Sequence, residues 1–98
     1  MDGLRFEWDP AKAAANRRKH GVSFEEAQTA FGDEHGLLID DPGHSSREDR
    51  FVLIGMSLAK RLLVVVHGYW ADAGLIRLIS ARKATRTERQ QYEESPRP

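Results

Sequence analysis

The 98-residue chain has no cysteine, which excludes a disulfide framework, a thiolate metal site and a cysteine nucleophile. It has no long hydrophobic run either. The longest uninterrupted aliphatic stretch, Leu62 to Val66, is far too short to span a bilayer, and the opening MDGLRFEWDP lacks the basic-then-apolar order of a secretory signal. A cytoplasmic protein with no membrane association is expected. There is no excess of either charge: 15 basic residues balance 15 acidic ones, which argues against a cationic coat for general nucleic-acid binding. Internal repeats are absent, and low complexity is confined to the tail Ser95 to Pro98. The length suits a single domain over residues 1–98.

The neutral total hides a strong polarity along the chain. From Gly21 to Arg50 the acids Glu25, Glu26, Asp33, Glu34, Asp40, Asp41, Glu48 and Asp49 face only Arg47 and Arg50, and basic residues dominate both flanks. Such a distribution lets one surface meet an anion and another meet a basic partner.

Leu4 to Trp8 alternates apolar and charged residues at the period of a half-buried strand. Asp9 as N-cap, Pro10 at the first helical position and Gly21 as a left-handed stop then frame a helix. Ser23 and Glu26 form a capping box for a second helix, with Val22 and Ala27 as its hydrophobic staple. Leu37 to Ile39 reads as a short strand halted by the turn Asp40, Asp41, Pro42, Gly43. Arg50 to Ser57, Arg61 to Trp70 and Leu75 to Lys83 read as consecutive antiparallel strands, and Thr85 with Glu88 caps a closing helix. The order predicts an α+β fold, with an antiparallel sheet packed against two N-terminal helices, a C-terminal helix, and one sheet face left for a ligand.

Chemistry-bearing residues concentrate in three places. Two-residue periodicity puts Arg61, Leu63, Val65 and His67 on one strand face and Leu62, Val64 and Val66 on the other. On the following strand Arg77 and Arg82 should point to opposite faces unless a bulge intervenes. The expected cluster is Arg61, His67 and Arg77, because guanidinium groups make paired, charge-assisted hydrogen bonds to a phosphodiester. The first helix ends in Arg17, Arg18, Lys19 and His20, where cations also satisfy the helix dipole. The segment from His44 to Arg50 offers Glu48 as a proton carrier that could share acid and base duties with a histidine. Each has a plain structural alternative: solvated strand-end arginines, dipole capping, or an ordinary polar loop. No metal or cofactor is expected, since Asp40, Asp41, His44 and His67 lack a ligand spacing. Trp8, Tyr69 and Trp70 could stack on bases, or belong to the core.

The segments FEWDPAKAAANRRKHGVSFEEA, DPGHSSREDRFVLIG, RLLVVVH and IRLISARKATRTER, in that order, resemble the BrnT toxins of bacterial type II toxin-antitoxin operons. The resemblance implies a small RelE-like fold and a metal-independent endoribonuclease that cleaves RNA and arrests growth. It also implies a ribbon-helix-helix BrnA-like antitoxin that neutralises the toxin, with operator DNA contacted only through the complex. By motif it marks Lys19, His20, His44, Glu48, Arg50, Arg61, His67, Arg77 and Arg82; the expected catalytic residues are Lys19, His20, Glu48, Arg61, His67 and Arg77, and the expected RNA-binding residues are Arg18, Arg50 and Arg82. The chain departs from the family pattern at Lys60, and at Gly68 and Trp70, where a threonine and a basic residue are usual. The rival expectation is a catalytically silent, antitoxin-binding co-repressor of its operon.

Overall fold

The computed structural model describes residues 3–40 and 50–95. The turn at Asp41 to Gly43, His44, Glu48 and the tail from Pro96 lie outside the described residues. The elements are β1 (Arg5–Glu7), α1 (Pro10–His20), α2 (Phe24–Thr29), a 3-10 turn (Ala30–Gly32), β2 (Leu37–Asp40), β3 (Arg50–Met56), β4 (Leu62–Trp70), a second 3-10 turn (Ala71–Ala73), β5 (Leu75–Lys83) and α3 (Arg86–Glu94). The strands form one sheet in the order β1-β5-β4-β3-β2. The pairs β2–β3, β3–β4 and β4–β5 are antiparallel, whereas β1 joins β5 in parallel and sets the start of the chain beside one of its last strands.

Local chemistry sets the helix ends. The Asp9 side chain accepts from the Ala11 amide at 2.9 Å, and Gly21 closes α1 in the left-handed region at φ 70°. Ser23 caps α2 by accepting from the Glu26 amide at 3.0 Å. The reciprocal half of the expected box differs, because the Glu26 carboxylate is taken by Arg61 and Ser57. At α3 both halves of the Thr85–Glu88 box are present.

The core has two layers. Val22, Phe24, Ala27, Leu63, Val65 and Leu78 pack between the sheet and α1–α2, while Ile54, Leu62 and Val64 pack against Tyr92 of α3 on the other side. The second layer departs from the expectation of one bare face: α3 covers part of it. The unbroken apolar run of β4 follows, since a strand covered on both sides has no polar face. Asn16, only 7 % exposed, donates to the Val22 and Ala81 carbonyls and accepts from the Ala81 amide. It satisfies the edge of β5 beyond the point where β1 ends.

Registry between β4 and β5 slips once. Val66 pairs with Ser80 but His67 pairs with Leu78, leaving Ile79 as the extra residue of a bulge. The bulge inverts the facing of everything before it on β5.

Candidate functional site

The slip decides which cations meet. Cross-strand partners share a face, so Arg77, opposite Gly68, and Arg82, opposite Val64, both lie on the α3 side of the sheet. The two arginines expected to diverge are brought to one face. Arg50 pairs with Gly68 from the other side, so one row reads Glu7, Arg77, Gly68, Arg50 across β1, β5, β4 and β3. Gly68 supplies no side chain, and Arg50 and Arg77 stand two strand spacings, roughly 10 Å, apart at their Cα atoms. Arginines at that separation can close on one phosphate from both sides. Trp70, opposite Leu75 on the same face and partly exposed, lies two residues further along β4.

Arg77 donates from Nη1 to Glu7 Oε2 at 2.6 Å, and both side chains are more than two-fifths exposed. An ion pair this open is worth about 0–1 kcal/mol, little enough to yield to a phosphate. Arg82 is held harder, by two 2.8 Å bonds to Glu88. That guanidinium, acting with the Thr85 amide, holds the Glu88 carboxyl down from its ordinary 4.5 to about 2.

Arg61 and His67 share the opposite face, as their spacing predicts, but the expected cluster with Arg77 does not form. Arg61 stands at the far end of β4, about 20 Å of strand rise from Gly68 and across the sheet from Arg77. Its guanidinium bonds both Glu26 oxygens, through Nε to Oε2 at 2.9 Å and through Nη2 to Oε1, and also donates to the Gly21 carbonyl at 3.1 Å. Ser57 donates to the same Glu26 oxygen at 2.7 Å. Arg61 thereby ties the end of α1, the start of α2 and the β3–β4 hairpin together, and it draws the Glu26 carboxyl below the usual carboxylate range.

His67 is 3 % exposed and sits edge-on against Phe31 at 4.8 Å between ring centres, with Phe51 beyond at 6.1 Å. Burial pushes its pKa below 6.5, against the opposing pull of the Val65 carbonyl 3.2 Å from Nδ1. Its ring borders a cavity of about 230 Å³ walled by Phe31, Leu38, Phe51, Tyr69 and Ile76. This is an apolar pocket with one neutral imidazole, on the side of the sheet away from Arg77.

Arg18 and Lys19 are exposed on α1, and His20 is half-buried at its end. Gly21 brings this group close to Arg61 and away from the Arg50–Arg77 row. Trp8 packs edge-on against Phe24 at 5.9 Å and belongs to the core. Among the described residues no three His, Asp or Glu side chains converge as metal ligands would. Sequence reasoning missed Glu7, whose only signal was its place in the alternation of the first strand, and Gly68, registered there as a departure and not as the centre of a row.

Residues 8–88 match the family described as the ribonuclease toxin, BrnT, of the type II toxin-antitoxin system. Among solved structures the chain is similar to the Brucella abortus ribonuclease toxin BrnT, with a TM-score of 0.62, 20% identity, and coverage of 85% of this chain and 99% of that one. At that identity the likeness carries the fold. No curated protein matches the sequence. With its family match running from Trp8 to Glu88, the chain belongs to the BrnT ribonuclease toxins of type II toxin-antitoxin systems.

Proposed function

We propose that this toxin cleaves RNA without a metal ion, on the α3 side of the sheet, with the scissile phosphate held between Arg50 and Arg77 over Gly68. The observation that carries the reading is the row Arg77, Gly68, Arg50, where two cations flank a position without a side chain. In the reaction the ribose 2′-oxygen bonds to the adjacent phosphorus and the bond from phosphorus to the 5′-oxygen breaks. The products are a 2′,3′-cyclic phosphate and a free 5′-hydroxyl, the leaving 5′-oxygen taking its proton from water while the 2′-hydroxyl gives its own to a base. The arginines offset charge that grows on the phosphate oxygens in the transition state, the kind of electrostatic stabilisation that dominates such reactions. Arg82 extends the cationic face toward α3, and Trp70 offers a ring on which a neighbouring base stacks. Glu48, two residues before Arg50, is the proposed proton acceptor for the 2′-hydroxyl. Lys19, His20, Arg61 and His67 are assigned to the opposite side, where Arg61 holds the frame and Lys19 and His20 guide RNA backbone at longer range.

The partner is an antitoxin, as the toxin-antitoxin class requires. We assign it to the ribbon-helix-helix type, with operator DNA reached only through the complex. A second reading is favoured by one observation: Arg61, Arg77 and Arg82 are each ion-paired within the chain, as they would be in a silent antitoxin-binding co-repressor.

The test is incubation of purified RNA with the isolated protein in excess chelator, using a matched substrate bearing a 2′-deoxyribose at the cleavage position. Cleavage to cyclic-phosphate ends that the deoxy substitution abolishes supports the proposal. RNA left intact by the chelated enzyme but cut on adding a divalent ion would overturn it.

A further inference from the structure

The sheet ends in β2, and among the described residues no strand pairs with its outer side. Soluble proteins normally blunt such an edge with lysine, proline, a bulge or a covering element. β2 reads Leu37, Leu38, Ile39, Asp40 and pairs with β3 in unbroken register, and Leu38 and Ile39 are 57% and 40% exposed. No lysine or arginine occurs between Lys19 and Arg47. The edge is therefore apolar, straight and without positive gatekeepers.

Alternate residues of β2 border two different hollows. Leu38 walls the His67 cavity on the α1–α2 side. Leu37 and Ile39 wall a second hollow of about 280 Å³ on the α3 side, closed by Gln91, Glu94 and Ser95. A strand laid along β2 would drop successive side chains into one and then the other. The first hollow takes an apolar or aromatic side chain. The second presents the Glu94 carboxylate; Asp40, opposite Phe51, lies on the Leu38 side at the end of the strand, and Glu34 is exposed in the turn before it.

We propose that β2 is the docking edge for an extended segment of the antitoxin, which joins the sheet as a sixth strand with apolar side chains toward the His67 cavity and a lysine or arginine toward Glu94. The proposal rests on the reading of the chain as a toxin with a protein antitoxin. Charge selects this occupant. An acidic rim repels RNA phosphates, and a second copy of the chain would set one edge rimmed by Glu34, Asp40 and Glu94 against another of the same sign. A basic segment meets opposite charge and finds, as hydrogen-bond partners, the outer backbone groups of β2 that no described strand takes up. The edge lies three strands from β5, so this segment anchors the antitoxin and leaves contact with Arg77 to another part of it.

The experiment is amide hydrogen exchange on the full chain, alone and with the purified product of the reading frame adjoining its own, alongside the Leu38→Lys/Ile39→Lys double variant and Glu94→Lys. The expected result is a slowing of the β2 amides by at least tenfold in the complex. The double variant should keep the wild-type circular dichroism and RNA cleavage while its affinity falls a hundredfold or more, and Glu94→Lys should weaken binding severalfold. Unchanged exchange in β2 within a tight complex, or unchanged affinity of the folded double variant, would overturn the proposal. So would a wild-type dimer that the double variant dissolves without loss of antitoxin binding, which would give the edge to a second copy. A wild-type chain that neither binds the product nor cleaves RNA would instead remove the toxin-antitoxin reading on which the proposal stands.

Discussion

Arg50 and Arg77 face each other across Gly68, on β3 and β5 respectively, with the central strand between them contributing only backbone. The bulge at Ile79 creates this relationship: without it Arg77 would join Ala81 in turning toward α1 and α2, on the opposite side from Arg50 and Arg82. A single extra residue thus assembles a cationic face out of a sequence whose net charge is zero.

Replacing Arg77 with alanine should lower the rate of RNA cleavage by about 10²-fold or more, the usual cost of one transition-state charge partner. The exposed pair with Glu7 contributes about 0–1 kcal/mol, so the melting temperature should hardly move. Rates measured beside thermal melts of the same preparation check both halves.

Glu26→Ala should act in the opposite sense. It leaves the Arg61 guanidinium and the Ser57 hydroxyl without their shared acceptor, a loss of about 2–3 kcal/mol for charge-assisted bonds at a partly buried site. In a domain of this size that lowers the melting temperature by roughly 10 °C or more. Cleavage per folded molecule should stay near wild type, and calorimetry with active-site titration separates the two.

Asn16→Ala removes three hydrogen bonds and strands both the amide and the carbonyl of Ala81 in the interior. The expected cost is about 3 kcal/mol. Asn16→Asp should be no better, because a carboxylate accepts from the Ala81 amide but cannot donate to the Val22 and Ala81 carbonyls. Urea unfolding of the two variants would show this.

Acid should destabilise the fold in two stages. His67 is held neutral by burial, with its pKa below 6.5. The unfolded chain therefore binds its proton first, and the stability from a neutral His67 is present above about 6.5 and drains away as pH falls below it. Glu88, depressed from 4.5 to about 2, contributes stability that is complete above 4.5 and lost as pH drops toward 2. Glu26, held low by Arg61, adds to the second stage. Urea midpoints across pH 8 to 2 should flatten in the upper stage for His67→Phe and in the lower stage for Glu88→Gln.

Much of the fold is legible in the sequence because its signals are local. Asp9, Pro10 and Gly21 bracket α1, Thr85 and Glu88 start α3, and the strand limits follow the alternation within a residue or two. The site was less legible, and for a non-local reason. Period-two reasoning placed Arg61 and His67 on one face correctly, but facing on β5 depends on Ile79, whose extra position no composition marks. Nor does the sequence reveal that Glu26 leaves its capping box for Arg61, which lies 35 residues away. An arginine looks alike on paper whether it awaits a phosphate or already holds two ends of a frame.

The most direct test of the account compares two variants on opposite faces of the same part of the sheet. Single-turnover cleavage of RNA in excess chelator would be measured for Arg77→Ala and His67→Gln at equal concentrations of folded protein. With RNA bound over Gly68, Arg77→Ala should lose about 10²-fold or more, while His67→Gln should stay within about threefold of wild type, since a positioned proton carrier would cost about 10²-fold or more. Full activity in Arg77→Ala, with the loss appearing in His67→Gln, would contradict the account and move the chemistry to the cavity beneath α1 and α2.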